Sequence, residues 1–154
     1  LGYYLKWHPQ KNYYYSVDYG FNPAPERNAG SYSRYTSLDD KLDDFNFYCM
    51  HVKYGIGRAT YDASQEIKRG DITREEAVAL INRFDGEFPE RFKHELYSYW
   101  TIDKLPHVSN TWLNAFSQPN MTHDYFMQLC DSFRSPHLWV IDDNNNWQLR
   151  RKIS

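Results

Sequence analysis

The densest group of residues able to do chemistry lies in Lys53-Tyr-Gly-Ile-Gly-Arg-Ala-Thr60 and the stretch after it. Gly55 and Gly57 let the backbone approach a ligand closely, and a helix opening at Arg58 would offer free amides to an anion. Arg58 adds a planar fork suited to phosphate or carboxylate oxygens. Arg58, Asp62, Gln65 and Arg69 recur at steps of four, three and four. A helix lines them up on one face, opposite Ala59, Ala63 and Ile67. Lys53, Gly57, Arg58, Asp62 and Gln65 are therefore the candidate substrate-binding residues, with Asp62 orienting Arg58 from one turn along. The same pattern also suits a helix-helix corner followed by a solvated polar stripe, and both readings stay open. It is no dinucleotide fingerprint, because a helix precedes it and Thr60 replaces the third glycine. Nor is it a Walker loop, since Gly-Lys-Ser/Thr is missing.

Other candidates carry weaker signals. Asp39, Asp40, Asp43 and Asp44 could hold a divalent cation through carboxylate oxygens, but acids at a helix start are commonly dipole partners, the favoured reading here. The histidines at 8, 51, 94, 107, 123 and 137 include no His-Glu-x-x-His pair. His137 sits with Arg134 and Ser135 at a junction that could meet a polar ligand or simply end a helix. Cys49 and Cys130 are the only cysteines, 81 positions apart with no partner at metal-ligand spacing. A disulfide framework and a zinc finger are excluded. The two thiols read as small buried hydrophobes, one disulfide being the alternative. Tyr13-Tyr14-Tyr15 could stack on sugar or base rings, or serve a core. No catalytic residue and no metal site can be assigned.

These side chains are positioned by a chain of 154 residues, enough for one core. The longest aliphatic run, Ala77 to Ile81, is far too short to span a bilayer. A net charge of -2 argues against a nucleic-acid footprint. Residues 1–7 are aromatic-rich and read as a strand, and Pro9 opens a helix that ends near Gly20. Residues 20–36 form a long loop whose three aromatics and two arginines favour order. Ser37 is expected to start a helix with Leu38, Leu42, Phe45, Cys49 and Val52 on its core face. A third helix covers Arg58 to Arg69, a fourth is capped by Thr73 and Glu76 and ends at Asp85-Gly86, and Pro89 opens a fifth carrying Phe92, Leu96 and Trp100. Residues 101–120 read as irregular. Thr122 caps a last helix to Phe133, with Met121 and Phe126 as a hydrophobic staple, and Leu138 to Arg151 read as a hairpin around Asp142-Asp-Asn-Asn-Asn146.

Several segments together resemble the C-terminal part of the N-acetyl sugar amidotransferase family, a branch of the PP-loop ATP pyrophosphatases. They are Leu1-Gly-Tyr-Tyr-Leu-Lys-Trp-His-Pro-Gln10, Gly30-Ser-Tyr-Ser-Arg-Tyr-Thr-Ser-Leu-Asp-Asp-Lys41 and Lys53-Tyr-Gly-Ile-Gly-Arg-Ala-Thr-Tyr-Asp-Ala-Ser-Gln-Glu-Ile67. Gly70-Asp-Ile-Thr-Arg-Glu-Glu76, Asp85-Gly-Glu-Phe-Pro89 and Phe133-Arg-Ser-Pro-His-Leu-Trp139 continue the likeness.

The resemblance implies a mainly α fold: the helical C-terminal portion of an α/β PP-loop ATPase, with one N-terminal strand from the upstream sheet and a C-terminal β-hairpin. It implies an ATP-dependent reaction on a surface-polysaccharide sugar precursor, as in O antigen and lipopolysaccharide biosynthesis. The N-acetyl group becomes acetamidino by way of an adenylate that ammonia displaces. ATP and Mg would be held mainly upstream, because a Ser-Gly-Gly-Lys-Asp-Ser type loop is absent here, and the chain alone is expected to be inactive. The implied partners are a sugar or nucleotide-sugar, a glutaminase subunit and a cyclase-like ammonia-delivering protein; the two lone thiols, read as those of a reducing compartment, make a cytoplasmic location the expectation for the chain itself. Leu1 in place of Met leads to the expectation that an N-terminal part precedes the chain. Two rival readings remain, a helical interaction module without chemistry and a fragment of a PP-loop enzyme acting on tRNA.

Overall fold

The computed structural model describes residues 3–100 and 121–154. The irregular segment expected over 101–120 lies outside the described residues. Among those described, six helices precede one hairpin, as the mainly α expectation requires: α1 (Pro9–Asp18), α2 (Asp43–Tyr54), α3 (Arg58–Arg69), α4 (Arg74–Phe84), α5 (Lys93–Tyr99), α6 (His123–Phe133), then β1 (Trp139–Ile141) and β2 (Trp147–Leu149).

Local chemistry sets most boundaries. Pro9 opens α1, and Gly55 and Gly70 close α2 and α3 in the left-handed conformation that L side chains resist. Thr73 and Glu76 form the full capping box of α4. Thr122 Oγ1 accepts from the Tyr125 amide at the start of α6. In the hairpin, Trp139 pairs with Leu149 and Ile141 with Trp147. Asp142 Oδ1 accepts the Asn144 and Asn146 amides across the turn.

Three expectations are corrected. Residues 3–7 form a turn and an exposed stretch, not a strand. A strand needs a partner, and the one sheet among the described residues is the two-stranded hairpin at the other end of the sequence. The helix expected from Ser37 begins instead at Asp43, because Ser37 Oγ bonds the Asp43 carboxylate and the Asp40 carboxylate takes the Leu42 amide, which holds a non-helical turn. Leu38 is accordingly exposed, and so is Cys49, expected on the core face as a buried thiol; only Cys130 is buried. Pro89 does not open α5, which starts at Lys93; Phe88 and Phe92 still reach the core from the segment ahead of it.

That core joins Phe45, Tyr48 and Val52 of α2 with Leu96, Tyr97, Phe126 and Cys130. Phe45 is its hub, meeting Phe88, Tyr97, Trp100 and Phe126 edge-to-face at centroid distances of 5.9, 5.9, 5.3 and 5.5 Å. Such pairs add about 0.5–1.5 kcal/mol each beyond the area they bury. The hairpin docks separately: Trp139 Nε1 donates to the Val52 carbonyl at 2.8 Å, at the end of α2. Gly55, whose φ of +71° already favours glycine, lies under β2: a Cβ there would be 2.9 Å from Leu149 Cδ2 and would push the end of that side chain aside.

Candidate functional site

The start of α3 is already occupied by the protein itself. The Asp85 carboxylate, at the end of α4, accepts the Gly57 amide at 3.0 Å and the Thr60 amide at 3.2 Å. The Thr60 hydroxyl bonds the same carboxylate, and the Ala59 amide goes to the Gly30 carbonyl at 3.0 Å. A Cβ on Gly57 would fall 2.5 Å from Asp85 Oδ1. The close approach that Gly57 permits is therefore to Asp85, and three amides at the start of α3, those of Gly57, Ala59 and Thr60, already have protein partners. Spacing could not reveal this, since Asp85 reaches α3 only because α3 and α4 pack together after the turn at Gly70.

The polar stripe of α3 does face a cleft. Its volume is about 560 Å³, within the usual range for a small-molecule site. Arg58, Tyr61, Asp62, Gln65, Glu66 and Arg69 form one wall, Tyr32 to Thr36 a second, and Trp7, Pro9, Gln10 and Tyr13 a third. Three of the five predicted residues, Arg58, Asp62 and Gln65, thus meet in one place. Gly57 and Lys53 lie outside it; the Lys53 ammonium sits 5.4 Å from the centroid of the Tyr54 ring.

Arg58 is held in place. Its Nε donates to both Asp62 oxygens at 3.0 and 3.1 Å, confirming the expected i,i+4 pairing, and its guanidinium lies 5.3 Å from the Phe47 ring and 5.4 Å from that of Tyr61. Asp62 also accepts from Ser31 Oγ at 3.1 Å. Across the cleft Tyr13 stacks on Tyr35, centroids 4.4 Å apart with 18° between planes, and Tyr35 Oη donates to Gln10 Oε1 at 2.9 Å. His8 Nε2 lies 2.9 Å from Asp71 Oδ1, which ties the start of α1 to the end of α3.

Burial sets the electrostatics. Tyr32 Oη donates to Glu66 Oε2 at 3.0 Å. Desolvation, then the Glu66 charge, pushes the Tyr32 phenol well above its ordinary value; desolvation also raises Glu66, partly opposed by the Tyr32 hydrogen bond. Tyr35 moves up for the same first reason. Both phenols stay neutral near neutral pH and can donate hydrogen bonds.

The loop wall is fixed from behind. Arg27 binds Glu87 with both terminal nitrogens, at 2.5 and 2.6 Å, and Glu87 accepts the Gly30 amide at 3.0 Å. Asn28, 1 % exposed, donates to Asp44 Oδ1 at 2.8 Å, while Arg91 meets the other Asp44 oxygen at 3.3 Å. Asp44 is thus a buried anchor rather than a solvated dipole partner. Asp39 and Asp40 precede α2, and among the described residues no three His, Cys, Asp or Glu side chains converge as metal ligands. His137 lies outside the cleft.

Several cleft residues escaped prediction. Glu66 follows Asp62 by four positions, so the spacing that found Asp62 could have found it. Tyr32, Arg34 and Tyr35 belong to the aromatic and basic loop expected to be ordered, but their shared direction depends on Arg27, Asn28 and Glu87. Trp7 and Gln10 come from a segment whose placement no local pattern encodes.

The sequence model of a protein family described as "LPS biosynthesis protein WbpG-like, C-terminal domain" matches residues 29–115. That span contains the α3 wall and the Tyr32–Thr36 wall of the cleft. No curated protein matches the chain.

Proposed function

Because the chain belongs to the WbpG-like C-terminal domain family of lipopolysaccharide biosynthesis proteins, we propose that its cleft is the sugar-binding side of an ATP-dependent N-acetyl sugar amidotransferase. The whole enzyme would convert an acetamido group of a sugar precursor to acetamidino, activating the amide oxygen as an adenylate that ammonia displaces. An amide oxygen leaves poorly and an adenylate readily. A glutaminase subunit and a cyclase-like partner would supply the ammonia, in the cytoplasm.

The residues described here do not fit ATP and Mg. The Gly57, Ala59 and Thr60 amides at the start of α3 are held by Asp85 and Gly30, and the sequence has no glycine-rich loop with the lysine a triphosphate needs. No step through the nucleotide is assigned to this chain, which is accordingly proposed to be inactive alone. Its own contribution is recognition. The observation that carries this reading is one cleft combining the Tyr13–Tyr35 pair with the Arg58, Asp62 and Gln65 face. Aromatic faces suit the apolar side of a pyranose ring, while fixed donors and acceptors suit its hydroxyl, amide and acidic groups.

The test is Arg58→Ala in the complete enzyme, with kcat/KM and Tm measured together. Loss of a charge-assisted hydrogen bond to substrate should lower kcat/KM by about 2–3 kcal/mol, roughly 30- to 150-fold, with little change in Tm. Asp62→Asn should act in the same direction but less, because Arg58 loses only its orienting charge. A lowered Tm with unchanged kcat/KM would make Arg58 a packing residue and remove the cleft from the reaction.

A further inference from the structure

Carboxylates on the α3 side of the cleft are matched with cations, except one. Asp62 takes Arg58 Nε on both oxygens and Ser31 Oγ as well, and Asp71 meets Arg69 Nε at 3.2 Å. Glu66, one turn beyond Asp62 on the same wall, is half-buried and has no ion-pair partner among the described residues. Its Oε2 accepts the Tyr32 hydroxyl at 3.0 Å, and its Oε1 makes no hydrogen bond among those residues. Arg34, the third arginine lining the cleft, is exposed and donates to the Pro25 carbonyl at 3.3 Å. A half-buried carboxylate without a counter-ion costs stability, and a ligand that brings the counter-ion removes that cost as it binds. The neutral Tyr32 donor favours the ionised form of Glu66 and fixes one oxygen, which leaves Oε1 for the ligand.

We propose that Glu66 is a cation subsite of the cleft and takes a planar amidinium group through Oε1, with Tyr32 holding the carboxylate in place. An amidinium presents two N–H donors in one plane, the geometry that suits a carboxylate, and each bond is charge-assisted. It is also a flat cation that aromatic faces attract, and Tyr32 and Tyr35 line the same cleft. A metal ion is the poorer match, since no three His, Cys, Asp or Glu side chains converge among the described residues. The choice of amidinium rests on the functional reading above, in which a neutral acetamido group becomes a positively charged acetamidino group. Glu66 then distinguishes the group after reaction from the group before it: the amide offers one uncharged N–H, whereas the amidinium supplies the missing counter-ion.

The test is an NMR titration of the full chain with acetamidine hydrochloride, with acetamide and sodium chloride as references, following the amides of α3 and the side-chain carboxyl carbon of Glu66. Saturable shifts centred on Glu66 and Tyr32 are expected with acetamidine, at an affinity at least about tenfold above that of acetamide. Glu66→Gln should bring acetamidine down to the acetamide level. Equal affinity for the two probes, acetamidine binding that survives Glu66→Gln, or shifts that sodium chloride reproduces would overturn the proposal. If Glu66→Gln does not fold, the two probes and the Glu66 carboxyl signal in the wild-type protein still decide. Failure of the subsite and failure of the sugar reading are separable. Acetamidine selectivity with kcat/KM unchanged by Arg58→Ala keeps the subsite and removes the sugar reading; lowered kcat/KM in Arg58→Ala without acetamidine selectivity does the reverse.

Discussion

Asp85→Ala should destabilise the protein by about 3 kcal/mol, because one side chain does the work of a helix cap from a neighbouring element. Three losses add. Removing a side-chain cap costs about 1 kcal/mol. Taking a negative charge from a helix start costs about 0.3–1 kcal/mol. Gly57 is buried, so its amide, now 3.0 Å from Asp85 Oδ2, would lose its partner where water enters poorly, at about 1–3 kcal/mol. Asp85→Asn keeps one acceptor oxygen and should lose about half as much. Urea unfolding with an unchanged m value measures both losses. Asp85→Ala also uncovers the amides of α3, so sulfate should restore more stability to the variant than to wild type, relative to chloride at equal ionic strength. A loss below about 1 kcal/mol, or equal sulfate responses in the two proteins, would refute the capping account.

Arg27 holds the Glu87 carboxyl below its usual range, chiefly through their hydrogen bonds. A depressed carboxyl stabilises the fold above its unfolded pKa, and that contribution fades as pH falls through the folded value. Arg27→Met should therefore cost about 2 kcal/mol near neutral pH, with the gap to wild type closing in acid titrations of stability. Trp139→Phe keeps the packing but leaves the Val52 carbonyl without its donor, and should cost about 1 kcal/mol by urea unfolding. If it costs nothing, the hydrogen bond in the hairpin dock adds no net stability.

What could be read from the sequence was what neighbours within one turn decide. The Thr73–Glu76 box, the Thr122 cap, the Gly70 stop and the polar face of α3 all depend on residues three or four positions apart, and all were legible. Where long-range partners decide, the reading failed. Asp44 looked like a helix-start acid because Asn28 and Arg91, which make it a buried anchor, lie 16 and 47 positions away. Gly57 did mark a close approach, but the approaching group was Asp85, 28 positions on. Local pattern likewise showed aromatic Tyr13 and Tyr35 without showing that they stack on each other across the cleft.

The bond from Trp139 to Val52 spans 87 positions, and this sets an order of assembly during synthesis. When α2 and α3 have left the ribosome, the last carbonyls of α2 and the bare backbone at Gly55 still await the hairpin that covers them. The end of α2 gains that cover only once Trp139 and Leu149 have emerged. A ribosome that stops near Leu138 would release the helices with the end of α2 still uncovered. A chaperone would meet such a chain with one apolar dock open.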